Sequence, residues 1–122
     1  MPAPKHILIV DDEAVILDLL AEVLTLAGHR VSQAATVAAA RKVLADGRPD
    51  LVITDLQLEQ SDGLALLAEV KAAHPDLPTL LLTGVLFDEE TVEARLRDKV
   101  SAYLPKTTPL KFIVAEVARL LG

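Results

Sequence analysis

Short apolar runs alternate with stretches of helical spacing along the whole chain, and this alternation constrains the fold more than any other feature of the sequence. Lys5 to Val10 reads as a first strand, followed by a helix whose Ile16, Leu19, Leu20, Val23, Leu24 and Ala27 share one face before Gly28 stops it. A second strand near Arg30 to Ala34 leads to a helix from about Thr36 to Ala45, and Leu51 to Thr54 forms a third strand. Gly63 opens a third helix with Leu64, Leu67 and Val70 at helical spacing, and the loop from His74 to Pro78 leads into a fourth strand, Thr79 to Thr83. Asp88 is placed to cap a fourth helix, where Glu89 and Glu90 complement the macrodipole in the first turn. Ala102 to Leu104 forms a fifth strand. Thr108 then caps a last helix, with Pro109 in its first turn and Ile113, Val114, Val117, Leu120 and Leu121 along it to Gly122. Five strand–helix units of this length call for a parallel sheet covered by helices on both faces, an α/β fold.

In such sheets ligands bind beyond the carboxyl ends of the strands, at a topological switch point. Asp11 and Asp12 close the first strand and Asp55 the third, so all three are expected at that edge, together with Thr83 at the end of the fourth strand and Lys106 just after the fifth. Carboxylates crowded together repel one another and stay ionised only when a cation shares their site. Mg²⁺ is the natural cation, because it takes oxygen ligands and keeps open positions for water or phosphate. A carboxylate can attack a phosphoryl group, but two anions must then approach, which the metal makes possible. Transfer depends on placing charge and donors around the equatorial oxygens, and Lys106 offers a positive charge and Thr83 a hydroxyl. Taken singly these signals are weak, since an acidic pair after a strand can be no more than a helix cap.

Composition narrows the field. The 122 residues suffice for one domain with a real core, which must be aliphatic because the chain has two Phe, one Tyr and no Trp. A formal net charge of −6 gives no basic footprint, so contact with nucleic acid by this segment is not expected. The absence of cysteine excludes disulfides and thiolate metal sites. No apolar run reaches the roughly 18 residues that span a bilayer, and Met1 to Lys5 is too short for the regions of a signal peptide. A cytoplasmic location without membrane contact is expected. His6, His29 and His74 are scattered and read as surface or strand-edge groups rather than ligands.

With these residues in register, the chain resembles the receiver domains of two-component response regulators along essentially its full length, 1–122 as a single receiver domain. The resemblance implies a flavodoxin-like, doubly wound five-stranded parallel sheet of order 2-1-3-4-5 with five helices. It implies that Asp55 in Ile53-Thr54-Asp55-Leu56 accepts a phosphoryl group from a sensor histidine kinase or histidine phosphotransfer protein. Asp11 and Asp12 in Val10-Asp11-Asp12-Glu13 match the family's acidic pair, Thr83 its switch hydroxyl, Lys106 its lysine and Tyr103 its switch aromatic. By the same carry-over, Asp12 and Asp55 bind Mg²⁺ directly, Asp11 through water, and the backbone carbonyl of Gln57 completes the protein ligands. Phosphorylation would switch the surface of helix four, strand five and helix five. The only chemistry implied is the domain's own phosphorylation and dephosphorylation, with Gln57 and Val85 placed to influence the hydrolytic water.

The chain departs from the family at several points. Thr107 follows the lysine where a proline, often after a cis bond, is usual; a cis bond before a non-proline costs about 3 kcal/mol, so that loop conformation does not carry over by itself. Glu59 replaces a common proline; the stretch from Thr83 to Lys106 is about one residue longer than is usual and Lys99 stands where glycine is common, so the fourth helix is expected to be irregular. Two rival readings are a pseudo-receiver that keeps the pocket without turnover, and a small flavin carrier. The acidic loop Asp11-Asp12-Glu13-Ala14 argues against the second, because it would repel a flavin phosphate. The chain is expected to be either a stand-alone regulator or the receiver of a longer protein with an output domain outside this segment. Ser101, Ala102, Phe112 and Glu116 occupy positions where winged-helix regulators carry their pairing charges, so a salt-bridged symmetric dimer is not expected.

Overall fold

The computed structural model describes residues 4–55, 57–58, 61–83 and 100–122. In chain order they form β1 (His6–Val10), α1 (Ala14–Leu26), β2 (Arg30–Ala34), α2 (Val37–Asp46), β3 (Leu51–Thr54), β4 (Gln57–Leu58), β5 (Ser61–Asp62), α3 (Gly63–Ala73), β6 (Thr79–Thr83), β7 (Ala102–Pro105) and α4 (Leu110–Leu121). Five strands build one sheet in the order β2-β1-β3-β6-β7, every neighbouring pair parallel, which is the expected 2-1-3-4-5 arrangement. The helix expected after Asp88, with Val85 and Lys99, lies outside the described residues.

The alternation of side chains along β1 divides the interior in two. Ile7 and Ile9 face one side, where Leu17, Leu20 and Leu24 of α1 and Ile113 and Val117 of α4 pack with Leu51, Ile53, Leu80 and Leu82. Leu8 and Val10 face the other, against Val37 and Ala40 of α2 and Leu66 and Val70 of α3. Strands buried on both faces in this way are continuous apolar runs, as parallel sheets require.

Local chemistry sets the element ends. Thr36 caps α2 by accepting the Ala39 N–H at 3.1 Å. Gly28 takes φ +99 after α1, a conformation that side chains disfavour. Two expectations need correction. The inward face of α1 is Leu17, Leu20 and Leu24, while Leu19 is 41% exposed and Ala27 is exposed, because the helix is apolar on two sides and the sheet selects only one. Thr108 is not the cap of the last helix: its N–H closes a turn onto Pro105 O at 3.0 Å, and Pro109, extended at φ −56 and ψ 141, is the N-cap. The antiparallel ribbon of β4 and β5 is an addition the sequence did not signal.

Candidate functional site

Register assembles the site. Val10 is paired with both Ala34 and Thr54, so the residues that follow, Asp11 and Asp55, leave the sheet side by side. The ladder continues one step into them, with the Asp11 N–H donating to Ala34 O at 3.1 Å and the Asp55 N–H to Val10 O at 3.2 Å. From β1 the chain crosses to β2 and from β3 it crosses to β6, in opposite directions, which makes the gap between β1 and β3 the switch point of the sheet. Thr83 ends β6 in register with Pro105, the residue before Lys106.

Asp11, Asp12 and Asp55 form a cluster in which one carboxylate oxygen from each lies within 4.8 Å of the others. Asp11 and Asp55 are buried, at 2% and 5% exposure, while Asp12 reaches solvent. The Lys106 ammonium enters from the end of β7: its Nζ is 2.7 Å from Asp55 Oδ2, 3.0 Å from Asp11 Oδ2 and 3.0 Å from Glu13 Oε1. Glu13, at the N-cap of α1, also donates its N–H to Asp11 Oδ1 at 2.9 Å. Thr54 Oγ1 donates to the Asp55 carbonyl at 3.1 Å.

The electrostatics show a pocket short of positive charge. Burial pushes the Asp11 carboxyl above its ordinary value, although the Glu13 N–H and Lys106 pull the other way and Asp55 adds repulsion. Burial alone would lower the Lys106 ammonium, but its bonds to Asp55, Asp11 and Glu13 outweigh that and hold it above the ordinary lysine range. One ammonium therefore serves three carboxylates, with that of Asp12 beside them. The all-oxygen donor set suits a hard divalent ion, since oxygens around an octahedral Mg²⁺ stand about 3 to 4 Å apart.

Of the residues singled out in the sequence, the fold brings Asp11, Asp12, Asp55 and Lys106 together. Gln57 opens β4 two residues after Asp55. Tyr103 is 39% exposed on β7, the edge strand of the sheet. His6 is not in the cluster; its Nε2 lies 2.7 Å from Ser32 Oγ at the start of β1. Glu13 is the contact that sequence reasoning missed, although its place directly after the acidic pair was a signal.

Fold and site together define a doubly wound α/β protein with an acidic, lysine-bearing pocket at its switch point. The chain belongs to the response regulator receiver domain family, whose model matches residues 7–118. It is similar to the transcriptional regulatory protein GlrR of Escherichia coli (strain K12), at 40% identity over 81 residues, 66% of this chain and 18% of that protein. Among solved structures, the receiver domain of NtrX from Brucella abortus matches with TM-score 0.83 and 32% identity, covering 94% of this chain and 97% of that one. The response regulator TrrA from Thermotoga maritima, in complex with Mg²⁺-BeF, matches with TM-score 0.84 and 28% identity, covering 95% and 98%. The chain spans 18% to 51% of the length of the curated relatives it matches. Among the described residues, no helix is long and apolar enough to cross a membrane.

Proposed function

We propose that residues 1–122 act as a single phosphoacceptor domain, with Asp55 taking a phosphoryl group from the phosphohistidine of a sensor histidine kinase or a histidine phosphotransfer protein. The observation that carries this reading is the Lys106 ammonium held at 2.7 Å from Asp55 and 3.0 Å from Asp11, inside an acidic cluster at the switch point. A carboxylate oxygen of Asp55 forms the new O–P bond as the N–P bond breaks, and the released imidazole nitrogen takes a proton. Asp12 and Asp55 would hold Mg²⁺ directly, Asp11 through water, with the Gln57 carbonyl as a further ligand. When bound, the ion neutralises the carboxylates and the phosphoryl oxygens so that the anions can meet. Lys106 neutralises one equatorial oxygen and Thr83 donates its hydroxyl to another. Tyr103, on the exposed edge strand, then reports the change to the surface it shares with α4, which faces kinase or output domain. The chain catalyses nothing beyond its own phosphorylation and dephosphorylation, works in the cytoplasm and makes no contact with nucleic acid or membrane.

The test is incubation with acetyl phosphate and Mg²⁺, read by intact mass. One phosphate should be added, and Asp55→Asn or EDTA should abolish it. Undiminished labelling of Asp55→Asn would sink the assignment. A wild-type chain that never labels would instead indicate a pseudo-receiver.

A further inference from the structure

We propose that Glu13 is a positioning residue that holds Lys106 away from an incoming phosphoryl group and so slows uptake at Asp55; this rests on the phosphoacceptor reading above. An ammonium has three N–H donors. Those of Lys106 are matched by three carboxylates, Asp55 at 2.7 Å, Asp11 at 3.0 Å and Glu13 at 3.0 Å. A phosphoryl oxygen can gain a donor only if one of these contacts is released. The Asp55 and Asp11 side chains are 7% and 3% exposed, and leaving either without its cation strands a desolvated charge. The Glu13 side chain is 58% exposed, so its carboxylate returns to water at little cost. Glu13 is thus the contact that gives way.

The backbone explains why Glu13 stands there. Its N–H is fixed on Asp11 Oδ1 at 2.9 Å, which anchors the residue beside the pocket. It is the N-cap of α1, yet its side chain makes no capping hydrogen bond and is free to reach across to Lys106. Replacing it therefore removes the hold on Lys106 without uncapping the helix.

The experiment compares initial rates of acetyl phosphate labelling at saturating Mg²⁺ in wild type, Glu13→Ala and Glu13→Asp, by intact mass, with folding checked by circular dichroism. The aspartate keeps a negative charge at the pocket mouth but is one methylene shorter. Both variants should label about 1.5- to 5-fold faster, the factor an exposed ion pair is worth. Beryllofluoride, titrated with Mg²⁺, should bind more tightly by the same factor, while Mg²⁺ alone, read by calorimetry, binds no more tightly than to wild type. Variants that label at the wild-type rate or slower overturn the proposal. Acceleration in Glu13→Ala alone also overturns it, because the effect would then come from charge at the mouth rather than from the hold on Lys106. A wild-type chain that takes no phosphoryl group overturns the site reading itself, a result distinct from a labelled wild type with unaccelerated variants.

Discussion

Lys106→Met isolates the charge of the pocket's cation, because methionine keeps the apolar stem and nearly the volume of lysine while removing the ammonium. Two of the three carboxylates on that ammonium are buried, and both are left desolvated and without a cation when it goes. Breaking a buried pair by removing one partner costs about 3 to 5 kcal/mol; the open side at Asp12 argues for the lower end, about 3 kcal/mol. The exposed pair with Glu13 adds little. For a domain of this size, 1 kcal/mol corresponds to about 4 °C, so thermal unfolding in EDTA should move down by about 12 °C. Mg²⁺ should then stabilise the variant more than the wild type, since it supplies the missing counter-charge, and an ion at one hundred times its Kd contributes about 2.7 kcal/mol. Adding Asp55→Asn to Lys106→Met should restore part of the loss by removing one of the stranded charges. The assay is circular dichroism against temperature, in EDTA and across a Mg²⁺ series. A variant that melts within about 2 °C of wild type in EDTA would refute the reasoning, showing that solvent, not Lys106, balances these carboxylates.

Three further outcomes are expected. The Asp11 carboxyl is raised by burial, so its contribution favours the folded state below its ordinary value of 3.8 and is lost as pH rises through the higher folded value. In EDTA, Asp11→Asn should therefore gain stability relative to wild type as pH rises above the ordinary value of 3.8, measured by urea unfolding; a constant difference would show that burial is not felt. Beryllofluoride with Mg²⁺ should shift the NMR signals of Thr83 and Tyr103, and unmoved signals with beryllofluoride bound would end the switch assignment. On the α4 face Phe112 is 55% exposed with the Lys111 ammonium 5.2 Å from its ring centroid, and Glu116 is already paired with Arg119, so activation should not produce a two-fold dimer held by ion pairs through this face. A structure of the activated form with such a dimer would contradict this.

What could be read in the sequence follows from which interactions are local. The strands were legible because Ile7 to Val10 and Leu51 to Thr54 are buried on both faces and appear as unbroken apolar runs. Asp11, Asp55 and Lys106 were legible because each stands one residue beyond a strand end, and parallel register brings such residues to one edge. The face of α1 was not, since Leu17 and Leu19 satisfy helical spacing equally and only packing on the sheet distinguishes them. The start of α4 was misplaced because the Thr-Pro pair at 108–109 fits a cap as well as it fits the turn actually made with Pro105. The Glu13 contact joins residues 93 positions apart through two flexible side chains, and no local pattern encodes that.

The placement of Lys106 and Tyr103 joins chemistry to surface more directly than either residue does alone. They are three residues apart on and just beyond β7, about 10 Å along a strand. Ala102 and Leu104 are partly buried, whereas Tyr103 and Pro105 are exposed, so the strand has one face in the core and one toward solvent. Its pairing with β6 from Leu80↔Ala102 to Thr83↔Pro105 fixes that alternation along the whole strand. A one-residue slip would exchange the two faces, drawing Tyr103 inward and turning the end of β7 that carries Lys106 away from Asp55. In the proposed mechanism a new negative group at Asp55 acts first on Lys106 and on Thr83, which ends β6 in register with Pro105, the residue before Lys106. A displacement passed from the pocket to Tyr103 would travel along β7, whose Leu104 and Ala102 pack against the core beneath α1, so the proposed switch would engage that core as well as the strand.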